Sequence, residues 1–130
     1  MIGSDAFSFV NVLDKAADAS WKRNEVIANN IANVDTPNYK ARFITFENAL
    51  ARSIKANEVT SRPEPNINKA IRHSNVAVHR TANETMRLDG NNVDMDQEQV
   101  QLAKTTYEYQ YMVQSISNEL SRLRSAVKTF

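Results

Sequence analysis

Residues 28–42 read ANNIANVDTPNYKAR, and they end a long helical pattern with polar punctuation rather than a simple cap. Asn29, Asn30 and Asn33 fall within a turn and a half of helix. An asparagine amide competes with the backbone for hydrogen bonds, so three together need partners from neighbouring side chains, water or another chain. Asp35-Thr36-Pro37-Asn38 then stops the helix. Pro37 has no backbone N–H and biases Thr36 away from the α region, while Asn38 is among the few residue types that accept a left-handed backbone. Tyr39 follows as an anchor with an apolar ring and a polar tip.

Upstream of this stop, Val10, Leu13, Ala17, Ser20, Asn24, Ile27, Ile31 and Val34 recur at alternating steps of three and four. That is a heptad seam, with Phe7, Phe9, Trp21 and Ala28 expected to widen it. A helix of about thirty residues spans roughly 45 Å at 1.5 Å per residue. Small side chains in mid-seam suit close helix approach, and a buried Asn24 would fix register at a cost in stability.

Downstream, Lys40 to Ser53 holds Phe43, Ile44, Phe46 and Leu50, with Ile54 just beyond, a mixed pattern that fits a short strand followed by a helical turn. From Ala56 to Asn92 the pattern dissolves around Arg62-Pro63-Glu64-Pro65 and scattered asparagines, although Val76-Ala77-Val78-His79 suits a short strand. Such a segment reads as an interaction arm. Asp94 with Gln97 three residues on predicts a capping-box variant, and Asp96 and Glu98 complement a helix N-terminus. A second seam then runs Met95, Gln99, Leu102, Thr106, Tyr109, Val113, Ile116, Leu120, Leu123, Val127, Phe130.

The fold class that follows is mainly α. Long N- and C-terminal helices pair as a coiled-coil-like core, joined by a largely irregular middle that admits short β elements. The divisions within this one structural domain are residues 1–35, core helix; 36–55, turn and packing segment; 56–92, bridging arm; and 93–130, second core helix.

Composition narrows the function classes. The 130 residues are 42% hydrophobic with no cysteine, which permits one core without disulfides or thiolate metal sites. Sixteen Lys and Arg oppose 15 Asp and Glu, leaving a net charge of +1 and no field that marks a nucleic-acid binder. The N-terminal stretch has no basic region followed by an apolar run, so no cleavable signal is expected. No run approaches a membrane span. Alone, these features favour the cytoplasm. Gly3 and Gly90 are the only glycines, which removes phosphate-cradling loops.

Chemistry is equally sparse. His73 and His79 lie six apart, matching no zinc-ligand spacing. A calcium loop counted from Asp89 puts Asp94 where glycine is needed and Val100 at the final ligand position. Asp94, Asp96 and Glu98 are explained by capping before acid–base chemistry, and Asn83-Glu84-Thr85 is a chance-level sequon. Neither catalytic nor cofactor or metal-binding residues are expected. Tyr107, Tyr109 and Tyr111 point to different faces of a helix, so at least one belongs at an interface.

Two separated motifs carry a resemblance. ANNIANVDTPNYKAR is similar to the N-terminal signature of bacterial flagellar axial proteins, the rod and hook components, and Asp89–Ala103, DGNNVDMDQEQVQLA, resembles the junction before their C-terminal helix. The short length and the ending YEYQYMVQSISNELSRLRSAV, residues 107–127, most resemble the proximal members of the flagellar basal-body rod family. Asn38 stands where many axial proteins have glycine, which keeps the turn. Glu108-Tyr109-Gln110-Tyr111-Met112 replaces the Ala-Tyr-Glu-Ala-Asn type common in other members.

The resemblance implies a structural subunit exported through the flagellar type III apparatus without a cleaved signal, residing in the periplasm-spanning basal body. It displaces the cytoplasmic expectation. Implied partners are other rod subunits and copies of itself, the export gate and the basal-body adaptor protein. The assembly residues are then Asn29, Asn30, Ile31, Asn33, Thr36, Pro37, Tyr39, Tyr109, Val113, Ile116, Leu120 and Leu123. The rival reading from sequence is a cytoplasmic two-helix coiled-coil module, such as a secretion chaperone or regulator.

Overall fold

The computed structural model describes residues 2–58, 76–81 and 87–128. Helix α1 spans Ile2–Ala32 and helix α3 Met95–Lys128. Between them lie strand β1 at Arg42–Thr45, helix α2 at Glu47–Glu58 and strand β2 at Ala77–Arg80. The expectations at Arg62–Pro65, His73, Asn83–Thr85 and Phe130 fall outside the described residues.

α1 and α3 run antiparallel. Ser20 Oγ meets Met112 Sδ at 3.9 Å, the Thr105 hydroxyl donates to Asn24 Oδ1, and Asn30 Nδ2 donates to Glu98 Oε1 at 3.0 Å. The α1 seam faces inward as its spacing predicts, with Ala17, Ser20 and Ile27 buried and Val10, Leu13, Asn24, Ile31 and Val34 half-buried. Phe7, Phe9, Trp21 and Ala28 do not widen it. They are exposed, and Trp21 only leans on Tyr109 with ring centroids 5.7 Å apart.

The α3 seam is shifted by one residue. Leu102, Tyr109, Ile116 and Leu123 are half-buried as expected, but the side chains that accompany them are Glu98, Thr105, Met112 and Glu119. Gln99, Val113, Leu120 and Val127 are exposed, so their expected burial against α1 is corrected. The cause is polar: the fully buried Thr105 hydroxyl, which shares its one proton between Asn24 across the interface and the Gln101 carbonyl of its own helix, turns that side of α3 toward α1. The apolar arc of α3 is wider than one neighbouring helix covers.

β1 and β2 form an antiparallel two-stranded sheet that pairs Arg42 with Arg80, Phe43 with His79, Ile44 with Val78 and Thr45 with Ala77. Ile44 and Phe46 are buried, while all of β2 is exposed. α2 starts where the Phe46 carbonyl accepts from Leu50 N–H at 2.9 Å, with Glu47 in its first turn and Lys55 in its last, as the helix dipole favours. Asp94 caps α3, its Oδ1 accepting from Asp96 and Gln97 N–H at 3.1 and 3.2 Å.

The most deeply buried large side chains, Asn30, Asn91, Thr105 and Ser20, are all polar. Directional hydrogen bonds, more than apolar volume, therefore specify how the elements meet.

Candidate functional site

The ends of α1 and the start of α3 meet in one junction. α1 closes with Asn33 N–H bonding the Asn29 and Asn30 carbonyls at 3.2 and 3.1 Å, and Val34 N–H bonding that of Ile31 at 3.3 Å. A helix C-terminus leaves carbonyls without intrahelical partners. Here they are met from more than fifty residues away. Asn91 Nδ2 lies 2.9 Å from each of the Asn33, Val34 and Thr36 carbonyls, and Arg87 Nη1 donates to Val34 at 2.9 Å. Asn91 Oδ1 accepts from Val93 N–H at 2.8 Å, so this fully buried amide joins the end of one helix to the approach of the other.

Beside it the two approach segments run together. Asn38 N–H donates to the Asp89 carbonyl at 2.9 Å, Lys40 Nζ to that of Gly90 at 2.7 Å, and Ala41 N–H to Asn92 Oδ1 at 2.7 Å. Asn38 has φ 59° and Gly90 φ 75°, the left-handed turns that let the segments approach. A Cβ on Gly90 would sit 2.6 Å from Asn38 Oδ1. Asn92 Nδ2 is the one buried side-chain nitrogen among the described residues without a partner.

Asn30 performs the second connection. Its Nδ2 donates to the Arg42 carbonyl at 2.8 Å and to Glu98; its Oδ1 accepts from Arg42 N–H at 3.0 Å and Tyr39 O–H at 3.2 Å. All four hydrogen-bonding positions of the amide are filled at 0% exposure. Asn30 thus fills the outward-facing N–H and C=O of Arg42 at the start of β1. Burial raises the Glu98 carboxyl above its ordinary value, the bond from Asn30 opposes this, and the charge of Asp94 adds to the rise.

Arg23 ties the helices on the other side. It reaches Glu47 at 2.6 Å and Glu108 at 3.9 Å. Burial pushes the Glu47 carboxyl up, but bonds from its own and the Phe46 backbone and from Arg23 outweigh it, and the net shift is downward.

The structure brings Asn30, Ile31, Asn33, Thr36 and Tyr39 into this junction. Asn29 and Asn33 donate back to the Glu25 and Asn29 carbonyls at 2.8 and 2.7 Å, and Thr36 Oγ1 donates to Asn33 Oδ1 at 3.2 Å. Pro37 is exposed. The remaining positions lie along α3: Tyr109, Ile116 and Leu123 toward α1, Val113 and Leu120 away from it. Sequence reasoning missed Asn91, Arg87, Glu98 and Thr105. The doubled asparagine after Asp89-Gly90 was the available signal, since an amide beside a left-handed glycine serves a local turn or a distant carbonyl. Among the described residues, no group of three His, Asp or Glu side chains could hold a metal, and no helix is long and apolar enough to cross a membrane.

Comparison with known proteins points one way. The profile of a family described as flagella basal body rod protein matches residues 11–40. The flagellar basal body rod protein FlgB of Bacillus subtilis (strain 168) is 30% identical over 115 residues, covering 88% of this chain and 89% of the relative. FlgB of Escherichia coli (strain K12) is 32% identical over 124 residues, covering 88% and 89%. FlgB of Cereibacter sphaeroides is 34% identical over 113 residues, covering 82% and 83%.

Proposed function

The chain belongs to the flagellar basal body rod protein family, as a structural subunit of that rod, and from that premise we propose how it assembles. The α1–α3 hairpin is the packing unit, and neighbouring rod subunits cover the apolar arc of α3 that α1 leaves open. The observation that carries this reading is the exposure of Val113, Leu120 and Val127, spaced by seven residues on one face of α3. Such spacing suits a helix from another subunit. Contacts of this type, joining different surfaces of successive copies, build helical arrays rather than closed dimers.

Within this reading the assembly positions divide. Asn30, Ile31, Asn33, Thr36, Tyr39, Tyr109, Ile116 and Leu123 shape the subunit, and Asn29, Pro37, Val113 and Leu120 face its neighbours. Residues 1–35 and 93–130 supply the tube wall, 36–55 brace it, and 56–92 bridge between subunits. The subunit occupies the proximal, periplasm-spanning rod, leaves the cytoplasm through the flagellar export gate, and rests on the basal-body adaptor. Assembly, not turnover, is its activity.

The test is localisation with complementation. Deleting the gene should abolish rod assembly and swimming, and an epitope-tagged copy should restore both and co-purify with basal bodies. A tagged protein that restores swimming yet stays in the cytosolic fraction would overturn the proposal.

A further inference from the structure

The β1–β2 sheet has two edges, and the chain treats them differently. Thr81 N–H donates to the Ala41 carbonyl at 2.9 Å, which fixes the phase of the ladder. With Arg42 opposite Arg80 and Ile44 opposite Val78, the N–H and C=O groups of Arg42, Ile44, Val78 and Arg80 point out of the sheet. Those of Arg42 are taken by Asn30. Among the described residues, nothing pairs with those of Ile44, Val78 and Arg80, but Ile44 is buried whereas Val78 and Arg80 are exposed.

Three further observations concern this open edge. Two strands alone make a marginal sheet in water and are sustained by a helix packed against them or by a third strand; here α1 supports β1, while β2 is exposed throughout. Arg42 and Arg80 are directly opposed, a like-charge pair that destabilises the sheet, and neither has an ion-pair partner among the described residues. The face that carries Ile44 and Val78 overlooks a groove of about 640 Å³ against α1, where Trp21 forms part of the lining and is 59% exposed.

We infer that the free edge of β2 is a strand-addition site for an extended segment that bears an acidic and an aliphatic side chain two residues apart. The acidic side chain lies beside Arg80 and neutralises the Arg42–Arg80 pair. The aliphatic one lies beside Val78 and faces the groove toward Trp21. Main-chain bonds to Val78 and Arg80 give the affinity, and the alternate side chains give the selectivity. Only the source of the strand, a neighbouring subunit, rests on the rod reading.

The experiment uses the full chain, isotopically labelled, with the capped probe peptide Thr-Glu-Thr-Val-Thr. Binding should slow exchange of the Val78 and Arg80 amides by about tenfold or more. It should also shift the emission of Trp21, the only tryptophan, to the blue. Methylating the Glu and Val amide nitrogens of the peptide should abolish both effects, and Arg80→Glu should reverse the preference toward a peptide with Lys in place of Glu. Unprotected Val78 and Arg80 amides, or equal binding of the methylated peptide, would overturn the site. Protection that grows with protein concentration without peptide would overturn this occupant in favour of a second β2. In isolated basal bodies the same amides should be protected; if they exchange freely there while the peptide binds, the neighbouring-subunit source is wrong and the rod reading stands.

Discussion

At the level of single residues, buried amides define the junction. Asn91→Ala removes the donor shared by three carbonyls and leaves the buried Val93 N–H without its acceptor. It should cost roughly 2–3 kcal/mol in urea unfolding, within the range for unsatisfied buried groups. Gly90→Ala combines a positive φ with a close approach to Asn38 and should cost about 1–2 kcal/mol, whereas Asn38→Gly should be near neutral. Glu98 gives a pH signature. Its carboxyl binds its proton more tightly folded than unfolded. Stability from this group is therefore fully present below the ordinary carboxylate value and declines as pH rises through the elevated folded pKa. Glu98→Gln keeps the acceptor for Asn30 and should remove that decline, read as a flatter melting temperature against pH. The asparagine cluster at 29–33 was legible as a polar site. Its partners were not, because the Arg42 and Glu98 contacts and the cap from Asn91 join residues far apart in sequence.

At the level of the element, period was readable and rotation was not. The steps of three and four in α1 identified the inward face because Asp14, Lys15, Asp18, Lys22 and Arg23 mostly fall off the stripe that Ala17, Ser20 and Ile27 share. In α3, Leu102, Tyr109, Ile116 and Leu123 can be joined by the series beginning at Thr105 or the one beginning at Thr106, and both repeat every seven residues. Apolarity favours Val113 and Leu120, but the Thr105–Asn24 bond selects the other. Thr105→Val should therefore weaken the hairpin by about 1–2 kcal/mol despite its similar shape, because Asn24 loses its partner. The short β1–α2 sequence was visible from Phe43 to Leu50. α2 extends through Glu58, well beyond a turn, sustained by Glu47 and Lys55 at its ends.

For the whole molecule, the rotation of α3 separates folding from assembly. Charge at Ile27 or Ile116 strikes the hairpin itself and should lower monomer stability as well as block assembly, since a buried unpaired charge is costly. Charge at Val113 and Leu120 strikes a surface the monomer leaves open. The most direct measurement is therefore made on the Val113→Glu, Leu120→Glu double variant, comparing its monomer melting temperature with its incorporation into purified basal bodies. The account predicts melting unchanged within a few degrees together with loss of incorporation and swimming. Normal incorporation of a variant that melts like the parent would contradict it.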